Sequence, residues 1–100
     1  MNEEYLELSL TEICLASQLP RTLFVELVEH GIVQPHGRSP DDWSFDITMV
    51  TVARRASRLH RDLELDWSAV ALIVDLLEQR DRLLAENRAL TQRLQRFLED

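Results

Sequence analysis

The residues of this chain best suited to chemistry are carboxylates, and the chemistry they suit is the capture of a cationic surface. Glu26 and Glu29 stand three apart in a segment of helical apolar spacing, and Asp41-Asp42-Trp43 sets two acids beside a large aromatic in a short polar loop. An indole flanked by acids buries area at an interface while the carboxylates attract and orient a basic partner. Glu26, Glu29, Asp41, Asp42 and Trp43 are therefore the candidate partner-binding residues. A second constellation has the opposite sign: Arg54, Arg55, Arg58 and Arg61 recur at spacings of three and four along one helical stripe. Guanidiniums so arranged serve either phosphates or fork-shaped pairing with carboxylates. Pairing with Asp62, Glu64, Asp75 or the acidic first half, within or between subunits, is the preferred reading.

The distribution of charge favours a basic partner. The 100-residue chain has a formal charge of −7, and residues 1–50 hold two arginines against nine acids, whereas residues 51–100 hold nine of each. Such a surface opposes long-range approach to nucleic acid or to an anionic membrane. Cys14 is the only cysteine and lies in the apolar run with Leu10 and Ile13, which reads as core and leaves no intrachain disulfide. His30, His36 and His60 have no cysteine or carboxylate companions at metal-ligand spacing, so neither a metal nor another cofactor is expected. Two glycines cannot build a phosphate-cradling loop, and no nucleophile, base and orienting acid stand in a recognisable order, so the chain is not expected to be an enzyme. No segment approaches the ~18 continuous apolar residues of a membrane span. Met-Asn-Glu-Glu lacks the basic flank and apolar run of a signal peptide, which points to the cytoplasm.

Short elements must position these groups. Tyr5-Leu6-Glu7-Leu8 suits an edge strand, and Ser9-Leu10-Thr11-Glu12 is a capping box that starts a first helix. Ser17-Gln18-Leu19-Pro20 breaks it, and a second helix carries Leu23, Phe24, Leu27 and Val28 on one face before ending at Gly31. Ile32-Val33-Gln34-Pro35 and Trp43-Ser44-Phe45, either side of the loop His36 to Asp42, outline a hairpin wing. Asp46 caps a third helix over about Ile47 to Leu63, with Ile47, Val50, Ala53 and Leu59 as its core face, and Asp66 caps a fourth after the break Glu64-Leu65-Asp66-Trp67. Trp67 is expected to pack between the third and fourth helices.

The last segment, Trp67 to about Leu98, would run about 48 Å as a helix, longer than a small head can cover. Leu76, Leu83, Leu90 and Phe97 repeat every seven residues, and Ile73, Arg80, Asn87 and Leu94 occupy the second seam position. Leu77, Leu84 and Leu98 widen the stripe. A polar Asn in such a seam sets register at some cost in stability, and a two-stranded homodimer follows. The candidate dimerisation residues are Ile73, Leu76, Leu77, Leu83, Leu84, Asn87, Leu90, Leu94 and Phe97, giving a head over 1–66 and a dimerisation helix over 67–100.

This order of elements resembles the MerR-like head, and the chain is similar over nearly its whole length to the CbpM family of chaperone modulatory proteins. The matching residues are Leu10-Thr11-Glu12-Ile13-Cys14, Glu29-His30-Gly31-Ile32-Val33-Gln34-Pro35, Trp43-Ser44-Phe45-Asp46, Leu63-Glu64-Leu65-Asp66-Trp67 and the tail from Glu86 to Phe97. The resemblance implies a mainly α fold, a MerR-like winged helix-turn-helix head followed by a long C-terminal coiled-coil helix. It also implies binding to the J-domain of a DnaJ-like co-chaperone, CbpA, and inhibition of its stimulation of the chaperone DnaK. The co-chaperone's DNA binding falls within the regulation implied. J-domains carry a basic helix, which agrees with the acidic first half. The alternative is a MerR-like DNA-binding transcription regulator. Anchoring the MerR pattern at Gly31 and Pro35 puts the DNA-contacting arginine at Val25, the following aromatic pair at Glu26 and Leu27, and the turn glycine at Gln18. A carboxylate facing phosphate is repelled, so direct nucleic-acid binding is not expected.

Overall fold

The computed structural model of the protein describes residues 6–99. Strand β1 (Glu7–Ser9) leads directly into helix α1 (Leu10–Ser17), which the capping box starts as its spacing requires. The Ser9 hydroxyl accepts the Glu12 amide at 3.1 Å, and a Glu12 carboxylate oxygen accepts the Ser9 amide at 2.8 Å. Tyr5, expected in the first strand, lies outside the described residues.

Helix α2 (Arg21–Glu29) follows a tight turn in which Gln18 adopts the left-handed conformation, φ 61° and ψ 38°. The turn keeps its geometry without a glycine, at a cost of about 1–2 kcal/mol. Its amides are satisfied locally, with Gln18 N donating to the Leu15 carbonyl and Leu19 N to that of Cys14. Gly31, at φ 72°, ends α2. Its amide donates to the Val28 carbonyl, and the amides of Ile32 and Val33 both turn back to that of Leu27.

That closure decides what Ile32-Val33-Gln34-Pro35 becomes. The expected hairpin does not form: Ile32 and Val33 are buried against the core with their amides already used, and Pro35 has no amide to donate. Only an isolated bridge, His36 with Ser44, closes the wing, around a 3₁₀ turn at Pro40–Asp42. Strand β2 (Ser44–Asp46) pairs instead with β1, antiparallel, with Leu8 opposite Phe45.

Helix α3 spans Met49–Leu63, two residues short of its expected start. Asp46 caps the preceding turn instead: its Oδ1 accepts both the Thr48 amide and the Thr48 hydroxyl at 2.9 Å. Ile47 therefore precedes the helix and is exposed, while Val50 and Leu59 are half-buried. The fully covered positions are Ala53, Ala56 and Ser57, whose small side chains let α1 and α2 approach closely.

Helix α4 (Trp67–Glu99) begins at Asp66, whose Oδ1 accepts the Ala69 amide at 2.9 Å. Val70 and Val74 complete a core centred on Phe24, Phe45, Ile13 and Leu27. The packed unit thus reaches past residue 66 into the first turns of α4. Phe24 and Phe45 meet edge to face at 5.2 Å, worth about 0.5–1.5 kcal/mol beyond their buried area. From Gln79 onward every described residue of α4 is exposed. The fold is mainly helical, a small head with a projecting rod, 56 Å in its longest dimension.

Candidate partner-binding surface

The five partner-binding candidates fall on two parts of the head. Glu26 and Glu29 lie on α2, Glu29 exposed and Glu26 half-buried in a shallow pocket of about 300 Å³ with Pro20, Thr22, Leu23, His60 and Trp67. Val25, at the position of the MerR-type arginine, is also half-buried and offers no donor to a phosphate. Asp41 and Asp42 are exposed in the 3₁₀ turn of the wing. Trp43 is half-buried with its ring edge-on to Phe45 at 6.0 Å, so much of the indole serves the head's own packing.

The wing is tightly drawn. Gly37 stands at φ 109°, and a Cβ there would collide with the Asp42 carbonyl. Arg38 is exposed beside it. His36 Nε2 lies 3.9 Å from a Glu7 carboxylate oxygen, an exposed approach that becomes an ion pair only when the imidazole is protonated.

A group that spacing did not single out surrounds the break between α3 and α4. The His60 ring stacks on Trp67 with centroids 3.9 Å apart and planes 10° from parallel, and its Nδ1 donates to the Leu65 carbonyl at 2.7 Å. Because the acceptor is a carbonyl, Nδ1 carries the proton in the neutral ring. Trp67 packs at the α3–α4 junction as expected, but its other neighbours are residues of α2 and the nearby His30 ring, 6.4 Å away. Glu64, which ends α3, is left-handed at φ 54°.

Between the α1–α2 pair and α3 runs an open groove of about 790 Å³. Leu19 and Leu23 line one side, and Ser57, His60 and Leu65 the other. Glu64 and Asp66 stand at the groove, and His60, Leu23 and Pro20 are shared with the Glu26 pocket. Towards the start of α3 the groove continues into a pocket of about 180 Å³ lined by Ser17, Ser57, Arg54, Arg58 and Arg61. One cleft therefore runs from three guanidiniums, over leucines, to Glu26 and Trp67.

The arginine stripe is only partly engaged. Arg61 pairs with Asp62 at 3.0 Å, and Arg55 reaches Asp81 of α4 at 3.9 Å, a partner the sequence reading did not name. Among the described residues neither Arg54 nor Arg58 has a carboxylate within 4.0 Å.

Cys14 is half-buried, and desolvation pushes its thiol up despite the nearby Arg21 charge, which makes it a poor nucleophile. No cluster of three metal-ligating side chains occurs among the described residues. On α4, Leu76, Leu83, Leu84, Leu90, Leu94 and Phe97 are exposed, as is Asn87, while Ile73 and Leu77 are half-buried where the helix leaves the head.

Comparison with known proteins adds a family to this geometry. The profile of the MerR HTH family regulatory proteins matches residues 8–92. The chaperone modulatory protein CbpM of Pseudomonas putida (strain W619) is 45% identical over 91 residues, covering 91% of this chain and 90% of that protein. CbpM of Pseudomonas entomophila (strain L48) is 43% identical over 91 residues, with the same shares covered. CbpM of Salmonella paratyphi A (strain ATCC 9150 / SARB42) is 40% identical over 90 residues, covering 90% of this chain and 89% of that protein.

Proposed function

The chain belongs to the MerR HTH regulatory family and, within it, to the CbpM chaperone modulatory proteins; on that premise we propose that it binds the J-domain of a CbpA-type, DnaJ-like co-chaperone and inhibits its stimulation of DnaK. Chaperone modulation is the role its relatives' names carry, a regulatory role with no reaction of its own. The partner-binding residues in this reading are Glu26 and Glu29 on α2 with Asp41, Asp42 and Trp43 of the wing. The co-chaperone's DNA binding is a second activity the same contact would restrain. A cytoplasmic location goes with this reading, and no helix among the described residues is long and apolar enough to cross a membrane.

The observation that carries the reading is Glu26. It follows Val25, which stands where the MerR pattern puts its arginine, and it is half-buried in a pocket with the stacked His60 and Trp67. A carboxylate there favours a guanidinium or ammonium from a protein and repels a phosphate backbone. The acidic excess of residues 1–50 adds long-range attraction of the same sign.

Homodimerisation along α4 is the second part of the proposal. Leu83, Leu90, Leu94 and Phe97 are 57–76% exposed on a helix that no other described element covers there, and the seven-residue repeat of Leu83, Leu90 and Phe97, with Leu94 at the second seam position, matches a two-stranded seam. Two copies would present two heads, and so two co-chaperone sites, from one rod.

The test is direct titration of the purified full-length protein against an isolated CbpA J-domain, with DnaK ATPase stimulation read in parallel. Binding that weakens with salt, and loss of stimulation at matching concentrations, is the expected result. Reversal of Glu26, Glu29, Asp41 and Asp42 to Arg should abolish both. Binding without any effect on DnaK would refute the inhibitory role.

Two observations favour the DNA-binding alternative: Gln18 preserves the helix-turn-helix turn, and Arg54 and Arg58 carry no carboxylate partner among the described residues. Retention of a mixed duplex pool at low salt, falling steeply as salt rises, would support it. No retention at low salt eliminates it.

A further inference from the structure

We infer that the cleft between the α1–α2 pair and α3 is the seat of the partner's anchoring helix, with the wing acids serving only to attract it. This rests on the J-domain reading above and changes which residues hold the partner.

Three features along the cleft dictate its occupant. Its middle is apolar, with Leu19 and Leu23 facing Leu65 across about 790 Å³, room for one or two aliphatic side chains of an inserted helix. At one end Glu26 shares a pocket with the stacked His60 and Trp67, which suits a guanidinium or ammonium paired with the carboxylate. At the other end Arg54 and Arg58, without a carboxylate partner among the described residues, line with Arg61 and Ser57 a pocket of about 180 Å³, which a carboxylate side chain can enter. The complementary ligand is an amphipathic helix with an apolar ridge, a basic residue at one end and an Asp or Glu at the other. A uniformly anionic ligand, such as a phosphate backbone, is excluded from the Glu26 end by charge.

The backbone supports the same location. Gln18 and Glu64 are the only non-glycine residues with positive φ among those described, and both line this groove. Left-handed non-glycine residues concentrate where surrounding structure holds a functional shape. Gln18 closes α1 and Glu64 closes α3, so two chain reversals border the cleft.

Association and dissociation rates separate anchoring from attraction, because exposed rim charges act mainly on the first and desolvated contacts on the second. Surface plasmon resonance of the full-length protein against the CbpA J-domain is the measurement. Leu65→Asp and the pair Arg54→Ala/Arg58→Ala should each speed dissociation at least about tenfold, with association changed less than about threefold. The pair Asp41→Asn/Asp42→Asn should slow association and leave dissociation alone. Glu64→Gly keeps the left-handed turn and should leave dissociation unchanged, while far-UV circular dichroism matching the unmodified protein guards the other variants against misfolding as an explanation. Unchanged dissociation in Leu65→Asp, or in the double arginine variant, overturns the cleft while the J-domain reading stands. Faster dissociation in the wing pair alone returns the anchor to the wing. Failure of the unmodified protein to bind the J-domain removes both the reading and the cleft that depends on it.

Discussion

The imidazole of His60 lies flat on the indole of Trp67, 3.9 Å between centroids, while its Nδ1 holds the Leu65 carbonyl at 2.7 Å. One side chain on α3 thereby fastens both the first residue of α4 and the break that precedes it. Replacing it separates the two contributions. His60→Ala should lower stability by about 1–3 kcal/mol, the sum of one hydrogen bond and one aromatic pair. His60→Phe, which keeps the stack, should recover about half of that. Urea unfolding followed by far-UV circular dichroism checks both.

The two glycines do different work. Gly31, at φ 72° with open space where a Cβ would stand, needs only a conformation, so Gly31→Ala should cost about 1–2 kcal/mol. Gly37, at φ 109°, needs both a conformation and room, because the Asp42 carbonyl fills the Cβ site. Gly37→Ala should therefore displace the wing, visible in hydrogen exchange as lost protection of the His36 and Ser44 amides that form the bridge.

Asp46 links stability to acid pH. The Thr48 amide and hydroxyl hold its carboxyl below the ordinary value of 3.8, with a smaller contribution from the His36 charge. A depressed folded value means that the stabilisation is complete above 3.8 and is lost as pH falls through the lower folded value. Asp46→Asn should flatten the stability profile below about pH 4 and leave the slope at neutral pH unchanged. Thermal unfolding between pH 2.5 and 6 measures the difference, with steps chosen on the scale of about one unit.

On the rod, Leu83→Asp with Leu90→Asp places charges in the seam that the dimer would desolvate. Self-association should weaken at least about a hundredfold, since each unpaired buried charge costs several kcal/mol. Sedimentation across a concentration series should show monomers for the variant with unchanged helicity in the head. A dimer that survives would place the interface elsewhere.

Cys14 should react slowly. With its thiol raised by desolvation, alkylation by iodoacetamide at pH 8 should lag a free cysteine by about tenfold or more and reach the free rate only in denaturant.

Much of this architecture is legible along the chain because its signals are local. Ser9 and Glu12 cap one another three residues apart, Asp66 caps its own helix, Gly31 ends α2, and the seam of α4 repeats within one continuous helix. Such signals depend on backbone geometry within one or two turns, which residue type already constrains. The pairing of β1 with β2 is not of this kind. Each strand has three residues, too few for alternation to declare itself, and the choice of β1 over Ile32-Val33 was made by the closure of α2, which spends those amides on Leu27.

The charged and apolar residues of the surface divide the same way. Their types, their acidic excess in the first half and the arginine stripe in the second are properties of composition and spacing, and they determine the signs of charge that the chain has to offer. The cleft belongs to the tertiary structure. Leu19, Leu23, His60, Leu65 and Trp67 come from separate segments, and no periodicity relates them. They meet because Ala53, Ala56 and Ser57 let α3 seat closely against α1 and α2, while Gln18 and Glu64 turn the chain at the two ends of the groove. Long-range packing converts two breaks that sequence marks only as interruptions into the walls of one surface.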